Sequence, residues 1–200
     1  MIVDNNVNWA GRVESDVPAA AAPDDFAYVF LGEGLGAAIM SDGSVTRGHH
    51  GLAGEIAHLV TAGPHGQATP LIEVFGALGL RQPGSTAIDV RRLLAAATGP
   101  EPQAAGTRRA LGQALSGALA AITALADPEL IIIGGPWGSH PVILDAIVTA
   151  AADLPQGVRV RAAELTEEPA LAGARADALR RLRSSIITAA SHERPAPRTS

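Results

Sequence analysis

The chain has 200 residues, a net charge of −5, a hydrophobic fraction of 47% and no cysteine. That length suits one fair-sized domain or two small ones. The absence of cysteine excludes disulfides, a thiolate metal site and a cysteine nucleophile, and the negative charge argues against this chain wrapping nucleic acid. No apolar run approaches the ~18 residues of a membrane span, and the N-terminus lacks a basic-then-apolar signal pattern, so a soluble cytoplasmic protein is expected. Only 3% of residues are aromatic, which predicts an aliphatic core of helices packed closely on strands.

Residues 1–3 read as the end of a strand, Asp4-Asn5-Asn6 as turn chemistry, and residues 7–13 as the first turns of a helix. A cap and helix usually follow a paired strand, so the chain reads as part of something longer. Residues 16–25 are a loose connector containing PAAAAP. The apolar run 26–31 predicts a buried strand. A glycine-rich turn at 32–36 leads to a second strand at 37–40, and the Asp42-Gly43 hairpin signal to a third at 44–47.

The stretch 47–59, RGHHGLAGEIAHL, holds three histidines, three glycines and one carboxylate. Its spacing predicts a helix over 52–59 with Leu52, Ile56 and Leu59 as the apolar face. On such a helix Glu55 and His58 project to one side. That pair suits gripping a polyhydroxy ligand or a metal; it equally suits a helix cap with solvated side chains.

A polar loop is expected at 61–69, then helices at 70–80, started by Pro70, and at 85–97, capped by Ser85 or Thr86. A Pro/Gly linker at 99–106 precedes the longest helix, 107–126, with Leu111, Leu115, Leu119, Ile122 and Leu125 as its stripe. A buried strand at 130–133 runs into a Gly-Gly elbow. A helix at 142–152, a strand at 158–163 and a helix at 169–183 follow, and 184–200 reads as a disordered tail. Alternating strands and helices predict an α/β domain with a mixed sheet.

Two strand-then-glycine turns stand out, LGEGLG at 31–36 and IIIGGPWG at 131–138. Such turns let a backbone approach phosphates closely, although glycine turns after strands are common. Taken in order, the glycine turn, the DG hairpin, AGEIAH at 53–58, LIE at 71–73 and DPELIIIGG at 127–135 resemble the ROK family. That family unites sugar kinases and sugar-responsive transcriptional repressors on an actin-like ATPase fold. The resemblance runs from Ile2 to about Leu182, and Asp4-Asn5-Asn6-Val7-Asn8 is similar to the family's segment just before its large lobe.

The resemblance implies an actin-like (ribonuclease H-like) large lobe over 24–183, with 1–16 as a remnant of the hinge between lobes. It implies Asn5, Asn6, Glu55, His58 and Glu73 as sugar contacts, carboxylates and amides being suited to vicinal hydroxyls. It makes Gly32, Gly34, Gly36, Gly134 and Gly135 remnants of the nucleotide turns. Four departures qualify it. Asn6 stands where the family's kinases carry the aspartate base, and an amide has no usable pKa for that role. Glu33 replaces a threonine in the phosphate turn, where its charge would repel ATP; the alternative is that it faces solvent. The cysteines of the family's zinc site are replaced by GPHGQATP, so no zinc or other cofactor is expected, with His58 and His65 at most a weak pair. The family's phosphate-loop lobe and its helix-turn-helix both belong upstream of Ile2.

The expected function is therefore the sugar-effector-binding, dimerising half of a ROK-type transcriptional regulator, inactive as a kinase and weak in sugar affinity by itself. DNA contact would fall to a preceding domain. The alternatives are a fragment of an active sugar kinase and an oligomerisation module without a ligand. The aliphatic faces of 70–80 and 111–125 are the expected dimer surfaces.

Overall fold

The computed structural model describes residues 4–16 and 22–192; the strand end expected at 1–3 lies outside them. Five strands form the central sheet: β1 (Phe26–Leu31), β2 (Leu35–Ser41), β3 (Ser44–Thr46), β6 (Leu130–Gly134) and β7 (Arg159–Ala162). Their order is β3-β2-β1-β6-β7. β1 pairs antiparallel with β2 and parallel with β6, and β6 pairs parallel with β7. The sheet is thus mixed, as alternating apolar runs and glycine turns imply.

β1 and β6 are apolar at every position because both of their faces are covered. Side chains alternate across a strand. Ala27, Val29, Leu31, Ile131 and Ile133 join one core, while Phe26, Tyr28 and Ile132 join the other. The first core is closed by α2 (Leu71–Ala77), α3 (Val90–Thr98), α4 (Gln103–Ala126) and α5 (Pro141–Ala152). The second is closed by α1 (Asn6–Ser15), which adds Ala10 to it, sets Gly11 on Ala38 and Tyr28 and is backed by α6 (Pro169–His192). Gly173 of α6 sits against the Trp9 carbonyl, where an added Cβ would lie 1.9 Å from that oxygen. α1 is therefore an integral layer of the domain.

α4 is the spine of the first core. Leu111, Leu115, Leu119 and Ile122 are all within it, as their spacing predicts, but Leu125 is 87% exposed. α4 has the length and apolar content of a membrane-crossing helix, yet this stripe is spent on the protein's own sheet. Leu71, Val74 and Phe75 of α2 are likewise fully buried. The two faces expected to make a dimer are thus core faces.

Other boundaries moved for identifiable reasons. Helix α3 begins at Val90 because Asp89, not Ser85 or Thr86, is its cap, accepting from the Arg92 N–H at 2.9 Å. α4 starts at Gln103, inside the expected linker, with the Glu101 carboxylate accepting from the Ala105 N–H. Part of the expected 61–69 loop is a small hairpin, β4 (Val60–Ala62) with β5 (Ala68–Pro70). α6 continues to His192, so 184–192 is helical where a disordered tail was expected.

Candidate functional site

A cleft with polar residues lies at the carboxyl end of β1, where parallel-sheet proteins place ligands. The local backbone is built by glycine. Residues 32–36 turn tightly, with the Gly32 N–H donating to the Gly34 carbonyl at 3.1 Å. Beside them, Gly135 follows β6 with φ +93°, and an added Cβ would lie 2.4 Å from the Leu31 carbonyl oxygen. A side chain is excluded there on both counts. Trp137 ties the two turns together. Its indole N–H donates to the Gly32 carbonyl at 2.8 Å, and its fully buried ring packs on Phe75. Gly32, Gly34, Gly36, Gly134 and Gly135 are therefore gathered in one region. Trp137 was visible in the sequence only as a rare aromatic residue after a glycine elbow; its tying role was not legible there.

The N-terminus of α1 abuts this region. Val7 fills the space over Gly36, 3.0 Å from where a Cβ would stand. Asn5 caps the helix, its side-chain oxygen accepting from the Val7 N–H at 3.0 Å. That oxygen is committed, whereas Asn6, the first helical residue, is exposed. Asp4 anchors this end. Its carboxylate accepts from Asn8 Nδ2 at 2.7 Å, from Arg12 at 3.3 Å and from Arg47 at 2.6 Å. Burial acts to raise its pKa, but the hydrogen bonds from Asn8 and Arg47 and the Arg47 charge outweigh that and hold it below the usual carboxylate range.

The 47–58 stretch is fixed to β2 through Gly54. The Ala37 N–H donates to the Gly54 carbonyl at 2.8 Å, and a Cβ on Gly54 would meet the Ala37 oxygen at 1.9 Å, at φ +89°. This left-handed glycine interrupts the expected 52–59 helix. Only a single 3₁₀ turn forms, Ile56–His58, burying Ile56 and leaving Leu52 65% exposed. Glu55 and His58, expected on one helix face, consequently line different depressions. Glu55 borders an apolar groove with Leu52, Ile122 and Leu125. His58 faces instead a cleft of about 400 Å³ that it shares with Glu33, Leu35, Ile72, Glu73 and Thr86.

In that cleft Glu73 is ion-paired with Arg81 at 3.0 Å, and the Arg81 hydrogen bond, with help from the nearby His58, lowers its pKa. Glu33 is exposed at the mouth, while its carbonyl is tied by the Ile88 N–H at 2.8 Å. The structure thus brings His58, Glu73 and Glu33 together; Asn5 and Asn6 stand at the start of α1, whose Val7 covers Gly36, and neither they nor Glu55 line this cleft. Among the described residues there is no group of three or more His, Asp or Glu side chains arranged to hold a metal ion. The cleft offers carboxylate, imidazole and hydroxyl groups at an apolar edge, chemistry that suits a polyhydroxy ligand.

The ROK family model matches residues 1–70, the segment that carries Asp4 to Asn8, both turns of the β1–β3 meander and the whole 47–58 stretch. Over those residues the chain is similar to the ROK family. The bifunctional enzyme NanE/NanK of Brucella melitensis is 31% identical over 130 residues, 64% of this chain and 25% of that enzyme. A ROK glucokinase from Streptomyces griseus, solved with glucose and AMPPNP, superposes with a TM-score of 0.63 at 27% identity, covering 86% of this chain and 66% of its own. A ROK transcriptional regulator, described as a homologue of the E. coli MLC protein, superposes with a TM-score of 0.59 at 24% identity, covering 86% of this chain and 50% of its own. Over the superposed part the chain therefore shares the actin-like fold of these proteins. It spans about a quarter of the length of the curated relatives it matches, and its structural neighbours include both kinases and a regulator.

Proposed function

We propose that this chain is the sugar-effector-binding half of a ROK-type transcriptional regulator that does not transfer phosphate. The observation that carries the reading is Asn6 at the start of α1, the position that the resemblance gives to the family's aspartate base. A general base must accept the proton of the sugar hydroxyl, and a carboxamide has no useful affinity for it. The nearest substitute, Asp4, is engaged by two arginines and Asn8, which depress its basicity. Glu33 adds a negative charge at the turn a nucleotide's phosphates would approach, and like charges near 4 Å repel by about 1 kcal/mol in water and about 4 at a partly shielded site.

Asn6, His58 and Glu73 would read hydroxyls, with Glu33 at the mouth. The reading calls for no zinc, since no thiolate is available. It places the protein in the cytoplasm, as a dimer with the apolar groove beside Leu52 and Leu125 as the pairing surface, and leaves DNA contact to another part of the protein. A monomer in light scattering at tens of micromolar would count against the dimer. For the 200-residue chain, titration calorimetry with glucose, N-acetylglucosamine and xylose should give millimolar affinity for one sugar. Asn6→Ala and His58→Ala should each weaken it. Binding that neither change alters would refute the site.

A second reading has its own support. The 31% identity to an enzyme named NanE/NanK and the likeness to a glucokinase favour a fragment of a sugar kinase. Asn6 and Glu33 weigh against it, and sugar-dependent ADP release separates the two.

A further inference from the structure

A second cavity, of about 380 Å³, lies between the C-terminal half of α1, the β2–β3 hairpin and the middle of α6. Asp4, beside Asn5, joins two of its arginines, but neither Asn5 nor Asn6 lines it, and the sugar reading makes no use of it. Its walls carry Arg12, Arg47, Arg180 and Arg181. Against these four stand Asp4, Asp16 and Asp177, so the cluster keeps one positive charge in excess on a chain whose overall charge is −5.

The carboxylates are shared rather than paired. Asp177 lies 3.6 Å from Arg12, 3.9 Å from Arg180 and 2.6 Å from Arg181. Asp4 serves both Arg12 and Arg47. Arg12 is the structural member: it is 14% exposed, bridges Asp4 and Asp177, and lies 4.7 Å over the Trp9 ring. The other three are near half exposed and each commits only part of its guanidinium. Arg181 uses Nε for Asp177, leaving both terminal nitrogens uncommitted among the described residues. Arg180 places Nη1 on both Asp16 oxygens, at 2.8 and 2.6 Å. Arg47 gives Nη2 to Asp4. The hydroxyl-bearing residues Ser15 and Ser44 complete the wall.

We propose that this cavity is an anion site for a phosphate group, either free phosphate or a small phosphate monoester. Guanidinium forks match the tetrahedral oxygens of phosphate in a bidentate way, and such charge-assisted bonds are the strong ones. Asp16 is 40% exposed. It is the competitor that a phosphate would displace, whereas Asp4, 4% exposed, stays as the buried anchor. Because Arg47 also opens the 47–58 stretch, an anion drawing on Arg47 would act on the loop that carries His58.

The test is titration calorimetry on the full chain at fixed ionic strength, with inorganic phosphate and glycerol 3-phosphate as the probes. One saturable site is expected. Arg181→Gln should weaken it about tenfold, the scale of one lost charge-assisted contact. Asp16→Asn, which removes the competing carboxylate, should tighten it. Arg109→Gln, on α4 and away from the cavity, should leave it unchanged. Tighter binding of glycerol 3-phosphate than of phosphate would identify an ester as the ligand, and the reverse order free phosphate. Absence of a saturable site, or equal affinity in wild type, Arg181→Gln and Asp16→Asn, would overturn the proposal and leave the arginines as fasteners of α1 to α6.

Discussion

At the scale of single residues, three positions govern the site. Trp137 bridges the two glycine turns, and its indole N–H satisfies the Gly32 carbonyl inside the protein. Trp137→Phe leaves that carbonyl unpaired, at a cost of about 1–3 kcal/mol. Trp137→Ala adds a cavity and should reach about 3–5 kcal/mol. Urea unfolding of the two variants gives both numbers. Gly54 has a left-handed backbone pressed on Ala37, so Gly54→Ala should cost about 1–3 kcal/mol from backbone strain and more from the clash. It should also weaken sugar binding by shifting His58. Asp4 controls the acid limb of stability. Its folded pKa is depressed, so its contribution is present above the unfolded value of 3.8 and is lost as pH falls through the lower folded value. Comparing unfolding free energy against pH for wild type and Asp4→Asn should show the difference fully developed at neutral pH and fading below about pH 4.

At the scale of elements, what could be read from the sequence divides by the range of the forces. The strands β1 and β6 and the helices α4 and α5 were legible because apolar periodicity reports their burial directly. The 52–59 helix was misread because its apolar spacing is helical, while the deciding contact, Gly54 against the Ala37 oxygen, is long-range and invisible in the pattern. The same holds for the site. Glycine turns and Asn6 are legible as motifs, but that Glu55 and His58 line different depressions is not, because the helix expected to carry both is broken at Gly54. Asp89 could have been found: an aspartate immediately before VRRLLAAAT is a stronger cap than a serine four residues upstream. Asp89→Ala should lower stability by about 1 kcal/mol, within a range of about 0.5–2, measurable as a shift in urea midpoint with an unchanged slope.

At the scale of the whole molecule, the domain is a three-layer sandwich whose α1 and α6 layer is attached by charge as well as by packing. Glu14 of α1 is completely buried, and accepts from Arg161 Nη1 at 3.3 Å and from the backbone N–H groups of Glu164 and Leu165 at 3.0 and 3.2 Å. Burial and this carboxylate together push the pKa of Tyr28 upward. Removing one partner of such a buried pair costs about 3–5 kcal/mol, so Glu14→Ala should loosen α1 and with it the seat of Asn5 and Asn6. Hydrogen exchange of the α1 amides would show this as lost protection confined first to that layer.

In the proposed function, a lobe with Asn6 in place of a base recognises sugar without phosphorylating it. The most direct measurement is ADP release from the protein with ATP, magnesium and a panel of hexoses and N-acetylhexosamines. The account predicts a rate equal to the sugar-free blank for every sugar. A sugar-dependent rate that Asn6→Ala abolishes would contradict it.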